Sequence, residues 1–400
     1  MKKLLFLLLY LLILLTAFVD LRLVGWSFIY LRGDLAKGYP RLIEIVSFLV
    51  IFIGLLVSIF DKRKVLKNKL YIDFLTISLS FVLYMFVFTL FKDYYSAYFR
   101  SVIFVPILLI TVFSQLKLSE QEVSKCLFFL YIVITLSSLL VNLNPFVDFN
   151  LPVYNIDEYN SSIQRYGGFG QSLPYQAFYT LIGCCFFFLC TQKSSPIKIK
   201  PILNLAFFFC NIVALLLLGS RTAYIIFLFL IIANYKCILK TFFNLKTLLF
   251  IIVLIFIFRH SLINVLETTF FARADFNTLA DRDVVWYISL LLIIKSPILG
   301  IQNYFEEGKL LGYNVLAHSQ NAYFEIIFWG GVGALFIYVF MFKKIYRIVK
   351  LSAPEYLRFF GQVLIVFAIF GVTEIIFYSV QVSITLSIIS GLLISKKFVK

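Results

Sequence analysis

PILNLAFFFCNIVALLLLGSRTAYIIFLFLIIANY, residues Pro201 to Tyr235, contains one charged residue, Arg221, and is bracketed by Lys200 and Lys236. At about 1.5 Å per residue a single helix of this length would reach roughly 50 Å, against a bilayer hydrocarbon core of about 30 Å. One crossing is too long, and two crossings of about 17 residues each fit. The stretch therefore reads as a hairpin of two spans. Gly219-Ser220-Arg221-Thr222 forms the turn, and Lys200 and Lys236 lie on the opposite side of the membrane. An arginine at the membrane boundary is costly without a partner, which makes Arg221 a candidate functional residue. The competing reading is a side chain that snorkels to the headgroups.

The rest of the chain has the same character. Of its 400 residues 62% are hydrophobic, a share no soluble domain needs, and the fold class is an all-α polytopic membrane protein. Apolar runs predict about twelve transmembrane helices: 4–20, 42–60, 71–91, 98–115, 124–143, 174–191, 202–218, 223–235, 247–259, 321–342, 360–378 and 381–395. They form a single integral membrane domain, 1–400, with one long extracytoplasmic loop, 260–320, between spans nine and ten. Met1-Lys2-Lys3 before an apolar run resembles a secretory signal. No small-residue cleavage pattern follows, so it reads as an uncleaved first helix. The cysteines (126, 184, 185, 190, 210, 237) lie in or beside apolar runs without metal-ligand spacing, and the only histidines are His260 and His318.

The net charge of +16 is explained first by orientation. With both termini cytoplasmic, the cytoplasmic segments hold 23 of the 36 Lys and Arg residues. The split by type is sharper. Inside there are 20 Lys and three Arg; outside there are nine Arg and four Lys. Either cation satisfies the orientation rule, whereas arginine is preferred where a planar fork must grip phosphate or carboxylate. The outer arginines thus read as ligand contacts, against chance clustering with headgroup contacts. The two long outer loops are 144–172 and 260–320. Within the second, 284–294 is apolar but too short to span and is stopped by Lys295 and Pro297, so it reads as an amphipathic or interfacial helix.

Several outer segments together resemble the bacterial O-antigen polymerase and O-antigen ligase superfamily. Arg165-Tyr166-Gly167-Gly168-Phe169-Gly170, running to Pro174, is similar to its Arg, Gly-Phe and Pro-Asn element, with Tyr175 in place of the Asn. Gly219-Ser220-Arg221-Thr222-Ala223 is similar to its Ser-Arg hairpin. Arg282, Trp286, Ser296-Pro297 and Leu299-Gly300 resemble its Arg…Trp…Pro-x-x-Gly element. His318-Ser319-Gln320-Asn321, followed by Gly330-Gly331-Val332-Gly333, resembles its His-Asn element with a glycine-rich helix. Here Gln320 stands where the family often has His, and His318 lies three residues before Asn321.

The resemblance covers roughly 160–345. It implies a metal-independent membrane glycosyltransferase without a cofactor, in the bacterial cytoplasmic membrane, with its active site extracytoplasmic. The donor is a glycan on undecaprenyl pyrophosphate. The leading reading is a polymerase joining lipid-linked repeat units into O-antigen, capsule or exopolysaccharide, and the alternative is a ligase delivering the glycan to lipid A-core. Implied partners are the lipid-linked donor and acceptor, membrane lipids, a chain-length regulator and a flippase, with no nucleic acid.

Departure of a lipid pyrophosphate builds negative charge, which fixed arginines stabilise in a water-poor site. Arg221 and Arg282 come first, then Arg165, with Arg273 a further contact or a solvated loop charge. His318 suits deprotonation of the acceptor hydroxyl, or it caps the following helix. Glu325 shares a face with His318 if the helix begins by Ser319, with Asn321 between them as a further binding residue. A carboxylate at that depth needs a partner, for which Arg221 is available, and the pair is catalytic or purely structural. Glu374 has the same status. Asp281-Arg282-Asp283 spells a metal–nucleotide-sugar triplet, but such donors are cytoplasmic and this loop is outside. The remaining class is a transporter such as a lipid-linked glycan flippase, which would carry repeats and midplane charges. Here the charges gather at the outer boundary.

Overall fold

The computed structural model describes residues 1–18, 42–60, 69–90, 104–116, 118–144, 153–155, 164–166, 173–192, 194–242, 282–301, 321–373 and 380–395. Eleven of the twelve expected spans overlap helices, two of them (98–115 and 360–378) only in part, and 247–259 lies outside the described residues. The helices are α1 (Lys2–Phe18), α2 (Leu42–Phe60), α3 (Lys69–Leu90), α4 (Val105–Gln115), α5 (Glu120–Leu143), α6 (Leu173–Cys190), α7 (Pro201–Leu218), α8 (Arg221–Ala233), α9 (Tyr235–Phe242), α10 (Arg282–Lys295), α11 (Ala322–Ser352), α12 (Leu357–Thr373) and α13 (Val380–Ser395). Two short strands, β1 (Val153–Asn155) and β2 (Gln164–Tyr166), form an antiparallel ribbon that the helical reading did not anticipate. Among the described residues four segments are long and apolar enough to cross a membrane: Glu120–Leu143, Pro201–Leu218, Ala322–Leu351 and Pro354–Thr373. The others are shorter apolar helices.

The chain divides into two compact units. The first comprises Met1–Cys126, Leu279–Phe360 and Gly371–Lys400. Here α4 packs on α13, α3 on α11, and α1 on α2. Small residues permit the close approaches, as expected where lipid supplies no hydrophobic drive between helices. A Cβ at Gly391 would lie 2.8 Å from Phe113 Cβ. The helix ends are tied in an ordered way. Lys2 at the start of α1 pairs with Glu122 at the start of α5 at 2.8 Å. Lys344, past the apolar part of α11, pairs with Asp73 at the start of α3 at 2.8 Å. Leu118 N donates to Ser395 O at the end of α13.

α10 occupies the expected 284–294 run, but it is not amphipathic. Val285, Ile288, Ser289 and Leu292 are buried, while Val284, Leu290, Leu291 and Ile294 are exposed. Apolar side chains stand on both faces.

The second unit is Leu127–Thr278 with Gly361–Phe370. Its centre is α6 against α7, with α5 alongside, held by polar side chains repeating every seven residues. Tyr131 Oη donates to Asn204 Oδ1 (3.1 Å), and Ser138 Oγ donates to Asn211 Oδ1 (2.9 Å). Asn211 Nδ2 also donates to Phe207 O (2.7 Å) and Thr135 Oγ1 (3.3 Å). Asn211 sits directly over Gly183, in the space a Cβ would need. Beside this ladder Phe187 stacks on Phe208 with centroids 4.0 Å apart.

These contacts fix directions. Residues 183 and 187 of α6 face 211 and 208 of α7, so the two run antiparallel. Residues 131 and 138 of α5 face 204 and 211, so α5 and α7 run parallel. The end of α5, the start of α6, the end of α7 and the start of α8 therefore share one end of the second unit.

Interhelical hydrogen bonds in membranes average about 0.6 kcal/mol each. Asn211→Ala, which loses two of them, is expected to cost about 1 kcal/mol in detergent unfolding. Gly183→Val, which overpacks a locked neighbour, is expected to cost about 1–3 kcal/mol.

Candidate functional site

The hairpin carrying Arg221 is built by three local devices. Gly219 ends α7 in the left-handed conformation (φ 59, ψ 33), which a residue without Cβ adopts freely. Ser220 is the N-cap of α8, and its hydroxyl accepts from Ala223 N at 3.4 Å. Tyr224 Oη reaches back to Leu216 O at 3.0 Å and clasps the two helices. Arg221 is thereby the first residue of α8 and half-buried, between the buried Ser220 and Thr222. This is the end of a helix where the macrodipole disfavours a cation, so helix stability gives no reason for an arginine here. The same dipole, together with first-turn amides, favours an anion placed beside it.

Arg165 lies in β2 opposite Tyr154, and β2 packs against α7. The ribbon belongs to the segment joining α5 to α6, so its strand and Arg221 occupy the same end of the second unit.

The first unit holds the other described candidates. Asn321 (φ −146, ψ 116) is the extended N-cap of α11, with Oδ1 accepting from Tyr323 N (2.9 Å) and Phe324 N (3.2 Å). The helix therefore starts at Ala322, not by Ser319. The condition on which His318 and Glu325 would share a helical face, a helix beginning by Ser319, is therefore not met. Glu325 is 1% exposed in the first turn, its amide bonded to Asn321 O. The positive end of the helix favours its negative charge. Arg282 is the first residue of α10. His318, Arg273, His260, Glu374 and Asp281 lie outside the described residues.

What fixes Asn321 and Glu325 in place is a break further along α11. Gly330 (φ −145, ψ 19) and Gly331 (φ 71, ψ −178) leave helical geometry. In an unbroken helix Val332 N would donate to Phe328 O. Here Val332 N donates to Pro297 O (2.8 Å), and Phe328 O accepts from Ile301 N (2.9 Å). The turn after α10 thus inserts one acceptor and one donor into the severed helical bond. Its own Gly300 is left-handed (φ 70) and donates to Ser296 O at 3.1 Å. Tyr84 Oη of α3 donates to Gly330 O at 2.7 Å. The structure thereby joins two segments, Ser296–Gly300 and Gly330–Gly333, that the sequence offered separately. Residue spacing carries no signal of this pairing, whereas the N-cap role of Asn321 was readable from residue type.

Gly331 admits no side chain, since a Cβ would overlap the Ile298 carbonyl and its φ and ψ belong to glycine. Gly331→Ala is expected to cost at least about 3 kcal/mol in detergent unfolding and to abolish activity.

Comparison with known proteins comes from one source. No curated protein and no solved structure matches the chain. A family model described as O-antigen ligase matches residues 206–339, about a third of the chain. The matched segment contains the Arg221 hairpin, Arg282, the 296–301 turn, Asn321, Glu325 and the glycine break, so over this third the chain is similar to the O-antigen ligase family.

Proposed function

We propose that the chain is a membrane glycosyltransferase that polymerises oligosaccharide repeat units carried on undecaprenyl pyrophosphate, at the outer face of the bacterial cytoplasmic membrane. The observation that carries this reading is Arg221 at the first position of α8. The guanidinium and the N-terminus of α8 both attract an anion placed beside them. A pyrophosphate leaving group supplies that charge.

In the proposed reaction the acceptor hydroxyl oxygen bonds to the anomeric carbon of the donor while the bond from that carbon to the pyrophosphate oxygen breaks. The leaving pyrophosphate keeps the electron pair, and Arg221, with Arg282, Arg165 and Arg273, stabilises it. The hydroxyl proton passes to His318 or Glu325. Asn321 contributes to acceptor binding through its side-chain amide, its carbonyl oxygen being used as the cap.

A second reading, transfer of the glycan to lipid A-core, is favoured by the family description, which names a ligase. The two separate in a deletion strain. Single-repeat units on the final acceptor are expected for a polymerase, and long chains left on the lipid carrier would establish the ligase instead. Arg221→Lys keeps the charge but loses the planar fork. It is expected to insert normally and to lose at least about tenfold in transfer rate, equivalent to about 1.4 kcal/mol of transition-state stabilisation. Wild-type polymer length and rate from this variant would remove the pyrophosphate role.

A further inference from the structure

We infer that the end of α10 and the turn 296–301 lie within the apolar layer of the bilayer, their outward face covered by lipid acyl chains. The inference does not depend on the proposed reaction. Two observations carry it.

The first is depth. The backbone bonds from Val332 N to Pro297 O and from Ile301 N to Phe328 O hold the turn level with residues 328–332 of α11. The apolar part of α11 runs from Ala322 to Phe342, where Lys343 and Lys344 follow. At about 1.5 Å per residue this is roughly 30 Å, the thickness of the hydrocarbon core. Gly330 lies about 13 Å in from Asn321 by the same rise. α3 agrees, since Tyr84, which binds Gly330 O, lies six residues before its end at Leu90. The turn is therefore inside the apolar layer, well away from its edge.

The second is the chemistry of the exposed face. Ile294 is 73% exposed, Ile298 74% and Leu299 63%, continuing the apolar face of Val284, Leu290 and Leu291. A helix lying on a polar surface would turn charged or polar residues outward. Between Val284 and Ile301 the only charged residue is Lys295, at the helix C-terminus where the dipole favours a cation and a long stem can snorkel.

Irregular backbone survives at membrane depth only when its polar groups are satisfied by protein. The glycine break in α11 meets that condition for two groups of the turn. The severed bond between Val332 and Phe328 presents one donor and one acceptor, and the turn uses both.

The test uses the full chain in liposomes, with nitroxide labels at Ile294→Cys and Ile298→Cys and the signal of the unsubstituted chain subtracted. Phe336→Cys, 71% exposed on α11 beyond the break, serves as the lipid reference, and the exposed Lys198→Cys as the water reference. Both test sites are expected to show frequent collisions with oxygen and few with a water-soluble nickel chelate, matching Phe336→Cys. Nickel collisions at the Lys198→Cys level would place the segment in water and overturn the inference. Low collisions with both reagents would mean that protein, such as a second copy of this chain, covers the face, and would overturn it equally. Either position alone decides the question if the other variant fails to accumulate.

Discussion

A straight α11 would close a hydrogen bond from Val332 N to Phe328 O, and this protein gives that bond up. Pro297 O and Ile301 N take its two ends, so neither the donor nor the acceptor of that bond is stranded by the bend. Two glycines make this possible for different reasons. Gly331 adopts a φ of 71 and leaves room for the Ile298 carbonyl, while Gly300 lets the turn curl tightly enough to present its own groups. The break sets the direction of 322–329 relative to the rest of α11, and with it the position of Asn321 and Glu325. In lipid, where an unsatisfied backbone group costs several kcal/mol, such an exchange is one of the few ways to bend a helix and anchor a loop together.

The second unit obeys the same constraint with side chains. Asn204 and Asn211 repeat at seven residues along α7, and Tyr131 and Ser138 repeat at seven along α5, so two polar rungs meet at the same spacing. Each bond is worth little by itself in a bilayer. Their combined effect is registration, since a shift along α7 would strand buried amides without partners. That registration holds the Gly219-Ser220-Arg221 hairpin and the ribbon of Arg165 at one end.

Arg221 and Glu325 have opposite electrostatic settings. Each begins a helix, and the N-terminal dipole favours the carboxylate and disfavours the guanidinium. Glu325 is at home as a buried first-turn anion. Arg221 stands at a helix end that disfavours a cation, and this is why the hairpin bears most of the weight in the functional reading.

The helices were legible in the sequence because apolar runs and their lengths reflect a local rule, the cost of exposing backbone and charge to lipid. The hairpin at Gly219-Ser220 was legible for the same reason, as was its neighbour Arg221. The start of α11 was legible to within one residue from the apolar run beginning at 321, while the earlier start on which a shared face of His318 and Glu325 depended fails at the Asn321 cap. The ribbon at 153–166 was missed because three-residue strands carry too little periodicity to show. The character of α10 was half legible: its length and stop were plain, but which face met protein was not. Sequence alone thus determined the class of the fold, the candidate charges and the glycine-rich segments. Only the tertiary structure decided that Pro297 and Ile301 enter the break in α11, because that pairing rests on backbone atoms common to every residue, which no side-chain pattern records.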